Sequence, residues 1–165
     1  MYSTEGIILK RVDIGEADSL FTIYTEEFGK IKARAQGIKK EEAKLKGHLE
    51  PLNLSGISFI SGKNGPRLIS AELILFFPNI RREIDKLRAV SYITSFIDRH
   101  CFDGEKDEKL WGLLLTSFHE LENNNFDSRS LKPFLRSFEH VFLSSLGYDG
   151  ETDSRILGAA VAFPF

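Results

Sequence analysis

The segment LISAELILFFPNI, Leu68 to Ile80, separates two parts of the chain that differ in hydrophobic periodicity. Before Pro78, apolar residues recur mainly at every second position, which is typical of half-buried strands. After it they recur every three or four positions, which is typical of helices, and the change falls within FFPNI, Phe76 to Ile80. The sequence therefore predicts an α+β chain with an all-β domain at residues 1–78 and an all-α domain at residues 79–165.

Five strands are predicted in the first domain, separated by the turn-forming sequences DIGEAD, EEFG and SGKNGP. In the last strand, the apolar residues at odd positions from Ile69 to Phe77 are expected to share one side of the pleat. Five strands with one longer connection after the third fit a small OB-type barrel, and an SH3-like barrel stays open as an alternative. The predicted strands are Tyr2 to Val12, Ser19 to Thr25, Lys30 to Gly37, Leu52 to Ser61 and Leu68 to Phe76.

Three helices are predicted in the second domain, each with one apolar stripe. Asp107 is placed to cap the second helix, Pro133 is expected in the first turn of the third, and Gly147 is expected to end it. Because the predicted loops are short, the helices should pack as an antiparallel bundle. Their predicted apolar stripes run from Ile80 to Cys101, from Leu110 to Leu121 and from Leu131 to Leu146.

Composition describes an ordinary globular chain, with 42% hydrophobic and 28% charged residues and a formal net charge of −2. This charge provides no general attraction to nucleic acid or to an acidic membrane, so any such binding must be local. The single cysteine, Cys101, excludes an internal disulfide and suits a reducing cytoplasm. The apolar run Gly6 to Leu9 is too short for a signal peptide or a membrane span. The tail GAAVAFPF is also too short to span, and we expect it to pack on the body or to form a disordered end.

The segment KIKARAQGIKKEEAKLK, residues 30–46, concentrates positive charge, with seven basic and two acidic residues and a local net charge of +5. Because strand side chains alternate, Lys30, Lys32 and Arg34 are predicted to share one face. Gly37 and Gly47 flank the following lysines and predict a connection that is free to fold around a ligand backbone. Residues at the end of the first strand could extend the patch if that strand lies next to the basic strand. The predicted nucleic-acid contacts are Lys10, Arg11, Lys30, Lys32, Arg34, Lys39, Lys40, Lys44 and Lys46.

Such a patch attracts polyanions because binding releases condensed counterions, and small barrels commonly hold single strands in a basic groove. The competing interpretation is a solvated strand face and a soluble loop, and the charge run alone favours neither. Five aromatic residues in or beside strands are more typical of a core than of a base-stacking platform, so none is assigned to the site. They are Tyr2, Phe21, Tyr24, Phe28 and Phe59.

Residue patterns of catalytic or metal sites are absent from the sequence. SGKNG, residues 61–65, lacks the spacing of a phosphate-binding loop and is predicted to be a hairpin turn. The four histidines show no ligand spacing, and neighbouring acidic pairs such as Glu26 and Glu27 need not converge on one substrate. We therefore expect no enzymatic activity, no cofactor and no metal.

The stretch from Thr4 to Lys40 resembles the N-terminal OB-fold of the bacterial recombination mediators of the RecO family. The matching features are the EGIILK strand, the GEAD turn, the FGK hairpin and the basic connection after Gly37. The resemblance continues through Leu45 to Pro51, Ala71 to Leu75 and Phe138 to Tyr148, which ends in Leu-Gly-Tyr. The order and spacing of these features make the resemblance specific.

This resemblance implies a non-enzymatic DNA repair and recombination factor. Members of the family bind single- and double-stranded DNA, anneal complementary strands, engage the C-terminal tail of the single-stranded-DNA-binding protein, and work with RecR to load the recombinase RecA. The implied location is cytoplasmic, and nucleoid-associated when DNA is bound. Family members usually continue beyond Leu-Gly-Tyr, many with a four-cysteine zinc site. Because residues 149–165 contain no cysteine, we expect no zinc and a helical domain that is incomplete relative to the family.

A protein-interaction adaptor is the alternative function. Residues 81–165 contain eleven basic and fourteen acidic residues, and their apolar helices could offer a groove for the single-stranded-DNA-binding protein or RecR. Such an adaptor would retain these partners and bind DNA weakly.

Overall fold

The structure, a computed structural model, describes residues 1–148, and the first part of the chain forms a closed five-stranded barrel. The strand order is β1-β2-β3-β5-β4, and β4 pairs back onto β1. The predicted OB-type barrel is confirmed, and each predicted strand overlaps an observed one. The strands are β1 (Tyr2–Ile14), β2 (Asp18–Thr25), β3 (Gly29–Ala35), β4 (Leu54–Gly62) and β5 (Gly65–Leu75).

The barrel closes through one long strand and one parallel contact. The first half of β1 pairs with β4 and its second half with β2, and a register shift between Ile8 and Lys10 bends the strand between these partners. On the other side, β3 meets β5 in parallel at the pair Arg34 and Arg67. This contact brings the end of β3 beside the β4–β5 turn.

The barrel core takes side chains from the strands and also from the connection between β3 and β4, residues 36–53. Ile31, Ala33 and Ala35 are buried, as the predicted alternation of β3 requires. Ile38 and Leu49 of the connection are 1% exposed and join the same core. The connection is therefore a packed series of hydrogen-bonded turns and lacks the freedom expected from its glycines.

The predicted alternation along β5 is wrong. Leu68 is buried, whereas Ile69 and Leu73 are 41% and 37% exposed. Ser58 pairs with Ser70 and Phe59 with Leu68, so Ile69 has no partner on β4, and a second register shift follows nearer the end of β5. A bulge of this kind interrupts the two-residue period of a strand, which the sequence pattern treats as continuous.

Four helices follow the barrel where three were predicted. The first predicted helix is two helices that are separated at Glu83, and Ile84 is 61% exposed although it was placed on the apolar stripe. Within residues 1–148, no helix is long and apolar enough to cross a membrane. The helices are α1 (Pro78–Arg82), α2 (Ile84–His100), α3 (Glu108–Asn123) and α4 (Ser128–Ser145).

The last helix, α4, ends as predicted at Gly147. Gly147 has a φ of +87°, and its N–H donates to the Ser144 carbonyl oxygen while the Tyr148 N–H donates to that of Leu143. This pair of bonds is a Schellman motif, which glycine favours because it adopts positive φ without strain. Pro133, in contrast, is inside the helix and not in its first turn, so one backbone hydrogen bond is missing there.

By packing, the chain forms two compact units. One contains residues 1–77 and 94–107, and the other contains residues 78–93 and, of the described part of the chain, residues 108–148. The end of α2 and the loop after it therefore pack with the barrel. The division into folding domains at residues 1–78 and 79–165 stays a prediction. The expectations for zinc and for the apolar tail concern residues 149–165 and lie outside the described residues.

In the helical unit, one carboxylate serves as a cap. Glu122 on α3 accepts hydrogen bonds from the backbone N–H groups of Asn79 and Ile80, at 3.1 and 3.0 Å. These N–H groups belong to the first turn of α1 and have no partner within that helix. A short helix is thereby held against α3.

The loop after α2 approaches the barrel most closely at Gly29. Gly29 has a φ of +62°, and a Cβ atom there would lie 2.0 Å from the Glu105 carbonyl oxygen. We expect Gly29→Ala to lower the free energy of unfolding by about 2–5 kcal/mol, because backbone strain and a backbone clash combine. Urea denaturation would measure this loss.

Gly15→Ala is the matched control, because Gly15 has a φ of +58° and, its chain neighbours aside, no atom lies within 4 Å of the place that an added Cβ would occupy. It should lose only about 1–2 kcal/mol. Equal losses in the two variants would show that the approach of Glu105 to β3 is not tight in solution.

Candidate nucleic-acid interface

Lys30, at the start of β3, is buried, with 5% of its surface exposed. Its Nζ donates to the Asp98 carbonyl oxygen at 2.6 Å and lies 3.5 and 3.4 Å from the carboxylates of Asp98 and Asp103. Its own carbonyl oxygen accepts a hydrogen bond from the Gly104 N–H at 2.8 Å. Lys30 therefore joins residues 98–104 to the barrel. This placement is at odds with its predicted phosphate contact, because the ammonium is enclosed and already has three oxygen partners.

Lys32 and Arg34 follow on the same face of β3, with half-exposed side chains. Lys32 Nζ lies 3.4 Å from a carboxylate oxygen of Asp103. The guanidinium of Arg34 donates to Asp18 through Nε at 2.9 Å and through Nη2. Two hydrogen bonds hold the pKa of Asp18 below its usual value: the larger effect comes from the Gly37 N–H and the next from Arg34. Asp18 is therefore ionised at neutral pH and orients Arg34 on the surface.

Arg11 and Lys39 bind residues at or beside the β1–β2 turn. Asp13 accepts hydrogen bonds from the Ser19 hydroxyl at 2.7 Å and from Arg11 Nε at 3.2 Å. The bond from Ser19 is the largest cause that lowers the pKa of Asp13. Lys39 Nζ donates to the Gly15 carbonyl oxygen at 2.8 Å and lies 3.5 Å from Asp13. Lys39 therefore fastens the connection after β3 to the turn, and Arg11 links the two strands that flank the turn.

Lys10 is separated from β3 by β2, so the first strand is not adjacent to the basic strand as the patch required. Register nevertheless aligns the two, because Lys10 pairs with Thr22 and Thr22 pairs with Lys32. Paired residues point to the same side of a sheet, so Lys10 and Lys32 share a face about 10 Å apart. Lys10 extends the patch by this route.

Three lysines of the connection are exposed: Lys40, Lys44 and Lys46. Lys40 lies near Asp18 and contributes to lowering its pKa. Lys44 and Lys46 form no ion pair or side-chain hydrogen bond with another residue in the described part of the chain. Because Ile38 and Leu49 hold the connection in the core, these lysines project from a packed surface.

A cleft of about 390 Å³ lies where the end of β3 meets the β4–β5 turn. Arg34, Lys63 and Arg67 supply its cations, and no carboxylate is among the described residues that line it. Arg67 Nη1 donates to the Gln36 side-chain oxygen at 3.1 Å, which holds the two strands' ends together. The cleft is thus the part of the basic surface where positive charge has no acidic residue in its lining.

Sequence reasoning missed Lys63 and Arg67 as members of this site. It assigned SGKNGP to a turn, and the structure has that turn between Gly62 and Gly65. The local signal was the presence of two cations beside the turn. Their proximity to Arg34 depends on the parallel pairing of β3 with β5, which no local pattern reports. In OB-folds, the face of strands 2 and 3 and the loops after strands 1 and 4 bind oligonucleotides or oligosaccharides.

Metal-binding and nucleophilic groups are not assembled in the described part of the chain. Within residues 1–148, no three His, Cys, Asp or Glu side chains are arranged to hold a metal ion. Burial raises the pKa of the Cys101 thiol to about 11, so it is protonated at neutral pH and is a weak nucleophile. Phe21 and Phe59 belong to the barrel core, and Tyr24, which pairs with Lys30 on the other face of β2, is also buried.

The strand order and this surface define an OB-fold protein with a helical C-terminal part, and comparison with known proteins specifies its family. Residues 1–77 match the family "Recombination protein O N terminal", and residues 81–158 match "Recombination protein O C terminal". The chain belongs to the RecO family of DNA repair proteins, which confirms the resemblance found in the sequence.

Individual relatives agree with this assignment. The chain is 30% identical over 162 residues to the DNA repair protein RecO of Desulforamulus reducens, covering 98% of this chain and 61% of that protein. It is 29% identical over 145 residues to the DNA repair protein RecO of Geobacter metallireducens, covering 88% and 58%. The chain therefore spans about three fifths of the length of these relatives.

The contacts of Lys30 predict a structural role for this residue. Lys30→Ala leaves the Asp98 carbonyl oxygen without its donor, and we expect it to lower the free energy of unfolding by about 1–3 kcal/mol. Lys32→Ala removes a half-exposed ion pair on the same face and should cost less than about 1 kcal/mol. Urea denaturation of both variants would compare their free energies of unfolding. Equal stabilities would mean that the Lys30 ammonium does not hold residues 98–104 in place.

Proposed function

We propose that this chain is a DNA-binding recombination mediator that acts in DNA repair without enzymatic activity. The observation that supports this function is the cleft at the β4–β5 turn, where Arg34, Lys63 and Arg67 converge and no carboxylate is among its described lining residues. Cations that neutralise phosphates release condensed counterions, which is the main source of sequence-independent affinity for DNA. A chain of net charge −2 can bind DNA in this way because the positive charge is concentrated on one surface.

The remaining cations extend the proposed interface from the cleft in two directions. Lys32 and Lys10 continue it across the barrel, and the lysines of the connection continue it from the end of β3. Lys39 holds the β1–β2 turn and Arg11 joins β1 to β2 beside that turn, so neither is included, and Lys30 is left out because it is buried. The proposed phosphate contacts are Lys10, Lys32, Arg34, Lys40, Lys44, Lys46, Lys63 and Arg67.

Contacts of this type position a nucleic-acid backbone and carry little base specificity. They also suit annealing, because a cationic surface reduces the repulsion between two phosphate backbones without any catalytic group. We extend the proposal to binding of both single- and double-stranded DNA.

Family membership supports the proposed partners. These are RecR, the C-terminal tail of the single-stranded-DNA-binding protein and, indirectly, RecA during recombinase loading. A cytoplasmic location, with nucleoid association when DNA is bound, belongs to the same proposal.

The cleft can be tested with the double variant Lys63→Ala, Arg67→Ala. Binding of a labelled single-stranded oligonucleotide, measured by fluorescence anisotropy at several salt concentrations, should weaken about tenfold or more at low salt. The slope of log affinity against log salt should become about 1.4 less steep, since each phosphate contact to a single strand contributes about 0.7.

The control is Lys109→Ala, Lys132→Ala, which removes the same charge from exposed positions on α3 and α4. It should leave affinity nearly unchanged. If the control weakens binding as much as the cleft variant, attraction is general and the cleft is not the binding site.

The lysines of the connection make a separate prediction. Lys40→Ala, Lys44→Ala, Lys46→Ala should reduce the salt slope by about 2 while unfolding is nearly unchanged, because these side chains are exposed. Lys39 is kept, since it holds the β1–β2 turn. The matched control, which also removes three positive charges, is Lys109→Ala, Arg129→Ala, Lys132→Ala. Unchanged binding by the connection variant would remove these lysines from the site.

The same oligonucleotide titration distinguishes the DNA-binding function from the alternative, a protein-interaction adaptor. If the unaltered chain binds no oligonucleotide at low salt but retains RecR or the tail of the single-stranded-DNA-binding protein, the DNA-binding function is wrong and the adaptor replaces it.

A further inference from the structure

Phe102 exposes 73% of its surface, more than any other aromatic side chain in residues 1–148. A single exposed apolar residue is common on protein surfaces and by itself indicates nothing. Phe102 differs because of its position, directly before Asp103, whose carboxylate lies 3.4 Å from the Nζ atoms of both Lys30 and Lys32. The backbone of Phe102 is therefore beside the start of β3, the strand that carries Lys30 and Lys32.

The backbone around Phe102 is held in place. Asp103 forms a parallel β-bridge with Lys30, and the Gly104 N–H donates to the Lys30 carbonyl oxygen at 2.8 Å. Just beyond, the Glu105 carbonyl oxygen packs against Gly29 so closely that a side chain there would collide with it. A loop that is already ordered loses little conformational entropy when its side chain binds a ligand.

The two ends of β3 therefore carry different chemistry. The cleft with Arg34, Lys63 and Arg67 lies at its C-terminal end, and Phe102 lies at its N-terminal end, with Lys32 between them. Proteins hold single strands with a series of cations near an exposed aromatic side chain. The cations bind the phosphates, and an unpaired base stacks on the aromatic ring.

We propose that Phe102 is a base-stacking residue for single-stranded nucleic acid whose backbone lies along β3. This inference rests on the proposed function of the same face. The stacking step needs an unpaired base, because the bases of a duplex are already stacked on one another. Phe102 therefore makes the surface discriminate single strands from duplexes, which the phosphate contacts alone do not do.

Anisotropy titrations of the 165-residue chain test the proposal with three labelled probes of equal length: oligothymidine, a strand of abasic sites and a mixed-sequence duplex. Phe102→Ala should weaken oligothymidine binding about 5- to 150-fold and leave the salt slope unchanged, because no phosphate contact is lost. Affinity for the abasic strand and for the duplex should stay within about twofold. Ile84→Ala, which truncates another highly exposed apolar side chain on α2, should change none of the three.

Phe102→Trp supplies a second readout. It should keep the affinity for oligothymidine, and the fluorescence of the new indole should be quenched when the oligonucleotide binds but not when the abasic strand binds. The native Trp111 is 7% exposed and should contribute little to this change.

The outcomes separate the two proposals. If the unaltered chain binds oligothymidine and Phe102→Ala binds it equally well, the stacking residue is wrong while the phosphate surface stands. Equal weakening on all three probes would mean that Phe102 supports the structure of the loop, and it would also overturn the stacking role. If the unaltered chain binds none of the probes, the proposed function fails and this inference fails with it.

Discussion

The buried ammonium of Lys30 is the interaction on which the candidate interface depends. It holds the Asp98 carbonyl oxygen at 2.6 Å and approaches two carboxylates, so the end of α2 and the loop after it pack with the barrel. An ammonium is removed from water only where hydrogen-bond acceptors replace its hydration, and this requirement defines where residues 98–104 can lie. The position of Asp103, and hence the partner of Lys32, follows from it.

Carboxylates position the cations of this surface. Asp18 orients Arg34, and Asp13 lies beside both Arg11 and Lys39. Each pair places a long side chain in a defined position, at the cost of part of its attraction for an anion. The cleft at the β4–β5 turn differs, because its described lining contains cations without acids. The surface therefore combines cations that carboxylates hold in place, including Arg34, with Lys63 and Arg67, which lie in a cleft whose described lining contains no carboxylate.

Local patterns predicted the elements of the fold well where their chemistry is local. Turn sequences located the strands, and Gly147 marked the end of α4 because positive φ favours glycine. The misses arose where the period of the pattern changed. A bulge left Ile69 without a partner on β4, and an interruption at Glu83 divided one apolar stripe between two helices. In both places a uniform period was assumed across a local irregularity.

The sequence by itself determined the order of elements, the alternation of β3 and the concentration of seven basic residues in residues 30–46, because these are properties of neighbouring residues. Tertiary structure alone decided what each cation does. Lys30 and Lys32 are two positions apart on one strand face, yet one is buried and the other is half exposed, because Asp98 and Asp103 arrive from 68 or more residues away. Lys63 and Arg67 join Arg34 for the same reason, since closure of the barrel brings distant strands together and local sequence does not encode that distance.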